Sequence, residues 1–354
     1  MNILHRILHR PFFIRLLHWE YWSFNTVYLP IIIVWVWLSA RARSFFFFSA
    51  SNPGILYGGF LMESKKAIYD ILPDGYYPKT LFFKAGTEGS TVIEQIKELQ
   101  FSYPLIGKPD IGERGKGVQK LMNKQDVLMY AASSAFDFLI QECSPYAKEV
   151  GIFYCRYPNQ DKGLISGIVR KEFLSVTGDG SSSIRELCRK EKRFILQLPE
   201  LENIWGDQLD QVLPEGTARQ LVPYGNHSRG AKFLDDSHLI DSALTNFMDN
   251  ICSQIKGFHY GRLDVRFKTW EELKQGKHFS IIELNGAGSE PTHIYDPRHS
   301  LFFAWKEIIR HWKILWRISR LNHQNGIPYL THKQGMLMLR ENRNLQKKRT
   351  GHDV

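Results

Sequence analysis

Two short stretches of the chain carry side chains suited to binding a hard metal ion beside a phosphate. The runs G-R-L-D-V-R-F and I-I-E-L-N are apolar β-type segments that contain Arg262, Asp264, Glu283 and Asn285. Alternation along a strand puts Arg262 and Asp264 on one face, and likewise Glu283 and Asn285. Magnesium prefers oxygen ligands, usually one or two carboxylates together with substrate phosphates. We therefore predict a site for Mg²⁺, or for Mn²⁺, at Asp264, Glu283 and Asn285.

The connection between these runs, residues 268–278, is polar and rich in lysine. Such a connection is typical of a loop between neighbouring strands, and a hairpin of this kind would bring the four polar side chains together. Either run taken alone would equally suit the solvated face of a hairpin with ordinary charges. The chemical interpretation gains weight because residues suited to phosphate binding occur upstream in a consistent order.

The upstream stretch is Y-P-L-I-G-K-P-D-I-G-E-R-G-K-G-V, which predicts a strand that delivers Lys108 into a glycine-rich loop. The loop contains Gly112, Gly115 and Gly117. Small residues let backbone N–H groups wrap a polyphosphate, and the lysine would neutralise its charge. The spacing fits neither a Walker A loop nor a dinucleotide-binding fingerprint, and a plain glycine-rich hairpin remains the alternative.

The net charge of +10 on 354 residues is concentrated at the two ends of the chain. Residues 1–50 carry five Lys and Arg against one acid, and residues 301–354 carry eleven against three. The middle of the chain is close to neutral. An enzyme acting on nucleic acid more often carries basic residues across its working surface, so we expect no nucleic-acid partner. Basic residues mixed with Trp and Phe at the ends favour an anionic membrane surface.

The N-terminal region contains a strongly apolar segment, Val27–Ala40. It is shorter than the roughly 20 residues that span a bilayer, and Arg15, Arg41 and Arg43 flank it on both sides. We therefore expect a shallow re-entrant or in-plane element, with a true span and a buried core segment as the alternatives. Association with the cytoplasmic face of the membrane, peripheral or monotopic, follows from this interpretation.

The C-terminal region predicts one long helix with two stripes. Aromatic and apolar residues recur at helical spacing, with a basic row beside them. The helix either packs on the domain or lies at a lipid interface. The apolar stripe consists of Phe302, Trp305, Ile309, Trp312 and Trp316.

Two further local patterns predict secondary structure. The run R-S-F-F-F-F-S at residues 43–49 predicts a buried strand. Ser183 and Glu186 have the S-x-x-E spacing of a capping box, which predicts that a helix starts there.

Residues 81–297 resemble the ATP-grasp superfamily. The segments containing G-R-L-D-V and I-I-E-L-N are similar to those of D-alanine–D-alanine ligases, and T-G-D-G-S-S-S-I-R-E-L is similar to a stretch of cyanophycin synthetase. The resemblance implies an α+β, ATP-grasp fold in which two lobes clamp ATP. The preceding residues, 44–80, would form a shortened N-terminal lobe, which departs from the family pattern. The membrane-associating segment at 1–43 and the basic helical tail at 298–354 lie outside the resemblance.

The resemblance also implies roles for the residues named above. Asp264, Glu283 and Asn285 would hold Mg²⁺, and Arg262 would face the transferred phosphoryl group and the tetrahedral intermediate. Lys108 would reach the α- and β-phosphates of ATP, and the glycine-rich loop would close over the triphosphate.

Further positions match nucleotide-binding residues of the family. Gln141, Glu142 and Cys143 fall where the hinge between the lobes contacts adenine. Glu149 falls where a carboxylate binds the ribose hydroxyls, and Lys232 where a lysine meets the γ-phosphate.

We expect a ligase that joins a carboxylate to an amine, or to a thiol, through an acyl phosphate. The substrates would be small molecules, amino-acid-type or lipid-linked. His227 is a candidate general base or positioning residue, and Arg156 a further candidate catalytic residue. The alternatives are an ATP-grasp phosphotransferase acting on a hydroxyl and a non-catalytic nucleotide-binding protein. The sequence leaves the oligomeric state open.

Overall fold

The computed structural model describes residues 10–112, 115–222, 225, 227 and 230–350. The helices are α1 (Pro11–Leu17), α2 (Phe24–Tyr28), α3 (Ile32–Ala42), α4 (Lys65–Ile71), α5 (Gly89–Glu98), α6 (Lys124–Ser133), α7 (Ile184–Lys190), α8 (Lys192–Ile195), α9 (Leu198–Trp205), α10 (Ser242–Gln254), α11 (Trp270–Lys274), α12 (Leu301–Gln324) and α13 (His332–Thr350). The strands are β1 (Thr80–Phe83), β2 (Leu105–Pro109), β3 (Gln119–Leu121), β4 (Phe138–Glu142), β5 (Lys148–Cys155), β6 (Leu164–Glu172), β7 (Ser175–Thr177), β8 (Ala218–Gln220), β9 (Lys232–Asp235), β10 (Tyr260–Phe267) and β11 (Phe279–Asn285). The α+β class predicted from the sequence, with antiparallel sheets, is confirmed.

The chain divides into two compact units, each built from discontinuous stretches. The larger unit comprises residues 33–168, 236–291 and 308–354. The smaller unit comprises residues 1–32, 169–235 and 292–307. These units cut across the linear segments predicted from the sequence.

The first sheet of the larger unit has the strand order β1-β4-β2-β3, with antiparallel neighbours. Helices α5 and α6 bury their apolar faces against it. Their shared core contains Val92, Ile96, Val127, Leu105 and Ile140. The predicted strand is therefore present, and it includes Lys108 within β2.

The second sheet of the larger unit runs β11-β10-β5-β6, and the far end of β6 enters the smaller unit, where it pairs with β9. One face of this sheet is apolar and packs on α10, with Ile152, Leu263 and Met248 in the core. The opposite face is divided. One end is apolar and packs against α12, whereas the other end carries charged residues.

The predicted hairpin is confirmed as β10 and β11. The connection between them is not wholly a loop, because it contains α11, whose first turn is capped by the Thr269 side chain. The predicted capping box is also confirmed: Ser183 accepts from Glu186 N, and Glu186 accepts from Ser183 N, at the start of α7.

The strand predicted at residues 43–49 is wrong. This stretch forms a turn with Arg43 at φ 53°, followed by a 3₁₀ helix at Phe47–Ala50. The prediction of burial was correct, since Phe46, Phe47 and Phe48 are buried. Packing around these rings, including the stack of Phe48 on Phe60, outweighs the β propensity of the phenylalanine run.

The predicted long C-terminal helix is present as α12, but the expected apolar stripe is not its most buried face. The buried face instead consists of Ala304, Ile308, His311, Leu315, Ile318 and Asn322. Phe302 is 77% exposed, and Trp305, Ile309, Trp312 and Trp316 are half-buried beside that face. The aromatic residues therefore lie along the side of the buried face and not at its centre. Residues smaller than tryptophan occupy the centre, where the helix packs closely against its neighbours.

Candidate functional site

The hairpin brings four polar side chains onto one face of the second sheet. Arg262 lies opposite Asn285 and Asp264 opposite Glu283 in the antiparallel register. Residues opposite each other in a ladder share a face, so these four side chains lie together. Asp264 is buried, and Arg262 holds it with two bonds, Nε to Oδ1 at 2.8 Å and Nη2 to Oδ2 at 3.3 Å.

A β-bulge next to Asp264 links the hairpin to Lys108. The register jumps from Asp264 opposite Glu283 to Val265 opposite Ile281, which skips Ile282. A bulged residue leaves the ladder, so its backbone groups need other partners. The carbonyl of Ile282 accepts from the Tyr69 hydroxyl at 2.6 Å and lies 3.5 Å from Lys108 Nζ.

Lys108 is a buried cation held by neutral groups. Its Nζ donates to the Tyr69 hydroxyl at 2.7 Å and to Gln141 Oε1 at 2.8 Å. Burial lowers the pKa of Lys108 to about 8, while the negative charge of Glu283 opposes that shift. A lysine held in this way suits an anionic ligand that would supply the missing countercharge.

The metal prediction can be tested against the chemistry of the donor set. The buried Asn285 Nδ2 atom makes no hydrogen bond to any described residue. The O and N atoms of an amide are interchangeable when the side chain turns, so this position suits an oxygen ligand. No cluster of three or more His, Cys, Asp or Glu suited to a metal ion occurs among the described residues. The predicted ligands are two carboxylates and one amide, so they do not form such a cluster. Oxygen ligands of these types fit Mg²⁺.

The structure adds two ionisable residues that the sequence analysis did not identify. Glu63 lies just before α4 and accepts from Gly286 N at 2.8 Å. Burial, together with the nearby charge of Glu283, raises the pKa of Glu63 to about 8, although the hydrogen bond from Gly286 opposes the shift. Lys65 Nζ donates to Gly112 O at 3.0 Å, and burial lowers its pKa. The only signal in the sequence is a polar E-S-K-K run at a helix start.

The predicted adenine segment lies at the end of β4 and just beyond it. The backbone N–H of Glu142 donates to Lys79 O at 2.9 Å, and that of Cys143 to Pro104 O at 3.3 Å. Both donors are therefore engaged within the fold, so a base bound here would be recognised through other groups. Gln141 contacts Lys108 instead of pointing away from it.

The predicted ribose carboxylate, Glu149, is buried on β5 and is paired with a cation. Arg266 Nε lies 3.1 Å from Glu149 Oε2, and the two residues are register partners. Gly151 of β5 is the register partner of Asp264. Glu149 precedes Gly151 by two positions, so it lies on the same face of the sheet as Asp264. The structure therefore brings Glu149 to the face that carries the hairpin charges.

The glycine-rich loop leaves β2 and returns as β3. Gly115 and Gly117 have φ values of 69° and 71°, which favour glycine. A Cβ atom on Gly117 would also lie 2.8 Å from Pro109 Cγ. The tip of this loop, residues 113–114, lies outside the described residues, whereas Gly112 is joined to Lys65 as described above.

Arg156 is not placed with these residues. It follows β5, where its N–H donates to His259 O at 2.8 Å. By alternation it shares a face with Tyr154, which donates to Asp249 of α10. Burial and then the charge of Arg156 lower the pKa of His259 to about 4.

His227 and Lys232 belong to the smaller unit. His227 Nε2 lies 3.7 Å from Glu20 Oε2, and Arg193 Nη2 lies 2.5 Å from the same oxygen. The imidazole ring of His227 also stacks on Tyr21, with ring centroids 6.1 Å apart. Lys232 is exposed at the start of β9. The neighbouring positions 223, 224, 226, 228 and 229 lie outside the described residues.

Solved structures of several ligases are similar to this chain. They include a bifunctional glutathione synthetase from Pasteurella multocida, the VanG D-Ala:D-Ser ligase from Enterococcus faecalis and the D-alanine–D-alanine ligase from Bacillus anthracis. In that order the identities are 16%, 14% and 12%, and the TM-scores are 0.42, 0.40 and 0.43. The matches cover 75%, 72% and 77% of this chain and 38%, 62% and 72% of those chains.

This chain therefore spans less than two thirds of the first two of these proteins. No protein-family profile matches the chain, and no curated protein sequence does. At such low identities and TM-scores, this likeness assigns neither a family nor an activity to the chain, and the ATP-grasp recognition made from the sequence stays a prediction. The activity, substrates and partners of this chain are inferences from its own residues.

Proposed function

We propose that this protein is a Mg²⁺-dependent, ADP-forming ATP-grasp ligase that joins a carboxylate to an amine or a thiol. One observation carries the proposal. Asp264 opposes Glu283, and Arg262 opposes Asn285, on the sheet face that the Ile282 carbonyl connects to Lys108. This arrangement offers oxygen ligands, one half-buried arginine and one buried lysine to a single polyphosphate.

The residues of the site divide the work of phosphoryl transfer. Lys108 would bind the α- and β-phosphates, and the N–H groups of the Gly115–Gly117 turn would cover the triphosphate. Mg²⁺ bound at Asp264, Glu283 and Asn285 would neutralise and orient the transferring group. Arg262 would stabilise the negative charge that develops on the phosphoryl oxygens.

The reaction would have two steps. A substrate carboxylate attacks the γ-phosphorus of ATP, which forms an acyl phosphate and releases ADP. The amine or thiol then attacks the acyl carbon and displaces inorganic phosphate, so that an amide or thioester remains. His227, the candidate general base or positioning residue of the sequence analysis, lies in the smaller unit, where it is paired with Glu20.

Trapping of the acyl phosphate tests the proposal. With Mg²⁺, ATP and a pool of carboxylic acids, added hydroxylamine should yield a hydroxamate together with ADP. A phosphotransferase acting on a hydroxyl would release ADP without a hydroxamate. A non-catalytic nucleotide-binding protein would release no ADP, and either result would overturn the ligase proposal.

We further propose that the enzyme works at the cytoplasmic face of a membrane, on a membrane-associated or amino-acid-type substrate. The helical run Phe24–Ala42 is long and apolar enough to cross a membrane by length and composition, but one third of it is buried in the protein. Within the larger unit, α3 packs Trp35 and Leu38 into the core. A helix held on one face in this way suits an in-plane position better than a span.

The outer face of α3 supports contact with lipid. Ile33, Val36 and Trp37 are 72%, 54% and 50% exposed. The Arg41 guanidinium lies over the rings of both Trp37 and Trp316, 4.9 and 5.2 Å from their centroids. An apolar face edged by tryptophan and arginine is complementary to acyl chains beneath anionic headgroups, and a protein partner would not require that basic edge.

Vesicle binding by the full-length chain tests this second proposal. Replacing Ile33, Val36 and Trp37 by serine should release the protein from phosphatidylglycerol-containing vesicles and leave ADP formation in detergent unchanged. The matched control replaces Met122 and Met129, which are exposed elsewhere in the same unit, and should stay bound. A parent protein that does not bind vesicles, or a triple variant that changes oligomeric state instead, would overturn the membrane proposal.

A further inference from the structure

The segment Asn52–Glu63 precedes residues 81–297, to which the sequence resemblance is limited, yet it contacts both ends of the β10–β11 hairpin. It runs from the 3₁₀ helix Phe47–Ala50 to the start of α4 and contains a second 3₁₀ turn at Leu56–Gly59. All of its contacts described below lie within the larger unit.

Asn52 fixes the start of β10. Its side chain is fully buried, and its Oδ1 accepts from His259 N at 2.8 Å and Tyr260 N at 2.9 Å. Its Nδ2 donates to Tyr260 O at 2.8 Å and to Gly58 O at 2.9 Å. All four hydrogen-bonding positions of the amide are therefore used, which ties this segment to the strand two residues before Arg262.

Two glycines fix the chain that leaves β11. Gly58 O accepts from Ala287 N at 3.0 Å, and Gly59 O accepts from Gly288 N at 2.8 Å. Both glycines have positive φ, 69° and 71°, so they suit the left-handed region. A Cβ on Gly59 would lie 2.8 Å from Gly286 Cα, and one on Gly286 would lie 2.7 Å from Gly58 O. The two backbones thus pack in direct contact just beyond Asn285.

Glu63 completes the connection at the peptide that follows Asn285. The Gly286 N–H that donates to Glu63 Oε1 at 2.8 Å belongs to the same peptide group as the Asn285 carbonyl. That carbonyl is held in turn by the Ser289 hydroxyl at 3.2 Å. Fixing both sides of one peptide plane sets the direction in which the Asn285 side chain leaves the backbone.

We infer that Glu63 is a positioning residue for Asn285, within a segment that holds both ends of the metal-binding hairpin. The inference rests on the proposed function, since it takes Asn285 as a ligand of Mg²⁺. Glu63 acts by accepting one hydrogen bond, not by contacting the ion. Groups of this kind, which orient a ligand, commonly change metal affinity by about 10–100-fold when they are removed.

The test compares ATP binding with and without Mg²⁺ in full-length variants. Glu63→Ala should weaken binding of Mg·ATP by about tenfold or more and leave binding of metal-free ATP unchanged, because only the metal-dependent part relies on Asn285. Glu63→Gln keeps the acceptor oxygen and should restore most of the loss. Glu98→Ala, which removes an exposed glutamate at the end of α5, is the matched control and should behave as the parent.

The possible outcomes separate this inference from the function on which it rests. Equal loss of metal-free and Mg·ATP binding in Glu63→Ala would mean general damage and would overturn it. A Glu63→Gln variant as impaired as Glu63→Ala would show that charge acts instead of the hydrogen bond, and would also overturn it. If Asp264→Asn loses Mg²⁺ dependence while Glu63→Ala does not, only the positioning inference is wrong; if Asp264→Asn retains it, both are wrong.

A further variant covers the case in which Glu63→Ala does not fold. Glu63→Asp keeps the carboxyl group but draws it back by one methylene group, out of reach of Gly286 N. Its Mg²⁺ dependence should weaken in the same direction, and parental Mg²⁺ dependence in Glu63→Asp would overturn the inference.

Discussion

At the scale of single residues, the site combines groups whose ionisation is set by burial. Lys108 donates its hydrogen bonds to neutral groups, whereas Asp264 is bonded to Arg262. A buried cation without a bonded carboxylate is costly to keep charged, and a bound polyphosphate would relieve that cost. The site is therefore arranged to gain charge neutralisation when an anionic ligand arrives.

The carboxylate ligands can be tested by removing charge alone. Asp264→Asn keeps the size of the side chain but removes one anionic ligand, so turnover should fall by on the order of 100-fold or more. The measurement is the steady-state rate of ADP formation with Mg²⁺ as the only divalent metal, after circular dichroism has shown an intact fold.

The matched control for this prediction is Asp70→Asn, which removes an exposed carboxylate paired with Lys66. It should retain the parental rate. Near-normal turnover by Asp264→Asn under the same conditions would refute the proposed metal site.

The lowered pKa of Lys108 predicts how ATP binding depends on pH. The folded-state pKa of about 8 lies below the usual value of 10.5, so the lysine loses its proton as pH rises through about 8. Binding of ATP should weaken over that range because a charge-assisted phosphate contact, worth about 1.5–3 kcal/mol, is lost. Fluorescence titration between pH 7 and 9.5 measures the effect.

Lys108→Met separates this contribution from other groups that titrate nearby, such as Glu63. The methionine keeps an unbranched apolar side chain without the charge, so ATP should bind several-fold more weakly at pH 7 and with a flatter dependence on pH. Parental affinity at pH 7 would show that Lys108 does not contact the phosphates.

At the scale of elements, the β-bulge in β11 and the packing of α12 determine which part of the second sheet carries the candidate site. The bulge frees the Ile282 carbonyl to meet Tyr69 and Lys108. Helix α12 covers the apolar end of the same sheet face through Ile314, Leu315 and Ile318. The other end of that face carries Arg262, Asp264 and Glu283, the charged residues of the candidate site.

The face that α12 buries can be tested by truncation. Ile318→Ala removes a fully buried side chain and should lower the free energy of unfolding by about 2–5 kcal/mol. Phe302→Ala removes a ring that is 77% exposed and should change it by less than about 0.5 kcal/mol. Urea unfolding followed by circular dichroism measures both, and a larger effect at Phe302 would contradict the assignment of the buried face.

At the scale of the whole molecule, the basic ends of the chain stand apart from an electrically balanced middle. The apolar face of α3 and the basic row of α12 would contribute differently to membrane binding. Hydrophobic burial persists in salt, whereas attraction of about 1 kcal/mol per basic residue fades within a Debye length.

Sedimentation with anionic vesicles should separate these contributions. The parent protein should remain bound at low and high salt and require detergent for release. Reversing the charges of Lys313, Arg317 and Arg320 should weaken binding at low salt and leave high-salt binding unchanged, because the charges are already screened there.

The control for this prediction reverses Lys97, Lys120 and Lys124, which are exposed in the balanced middle of the chain. The change in net charge is the same, so overall repulsion is matched. Equal weakening in both variants would show that net charge, and not a basic surface on α12, attracts the vesicles.

The sequence by itself determined the hairpin, the strand that carries Lys108 and the glycine-rich turn after it. These features follow from local pattern, because a period of two selects a strand and glycine permits positive φ. Apolar content also indicated that residues 43–49 are buried. Their conformation was not predictable, since packing of Phe48 on Phe60 outweighed the β propensity of the run.

Only the tertiary structure decided which distant residues join the site. Glu63 and Asn52 precede the hairpin by some 200 residues, and nothing in their own neighbourhood distinguishes them from ordinary turn residues. Arg156 was predicted as a site residue but does not join the site. Side chains alternate between the two faces of a strand, and Arg156 falls on the face that α10 covers. Local sequence fixes the spacing of side chains along an element, whereas contacts between elements depend on packing over the whole chain, which no local pattern records.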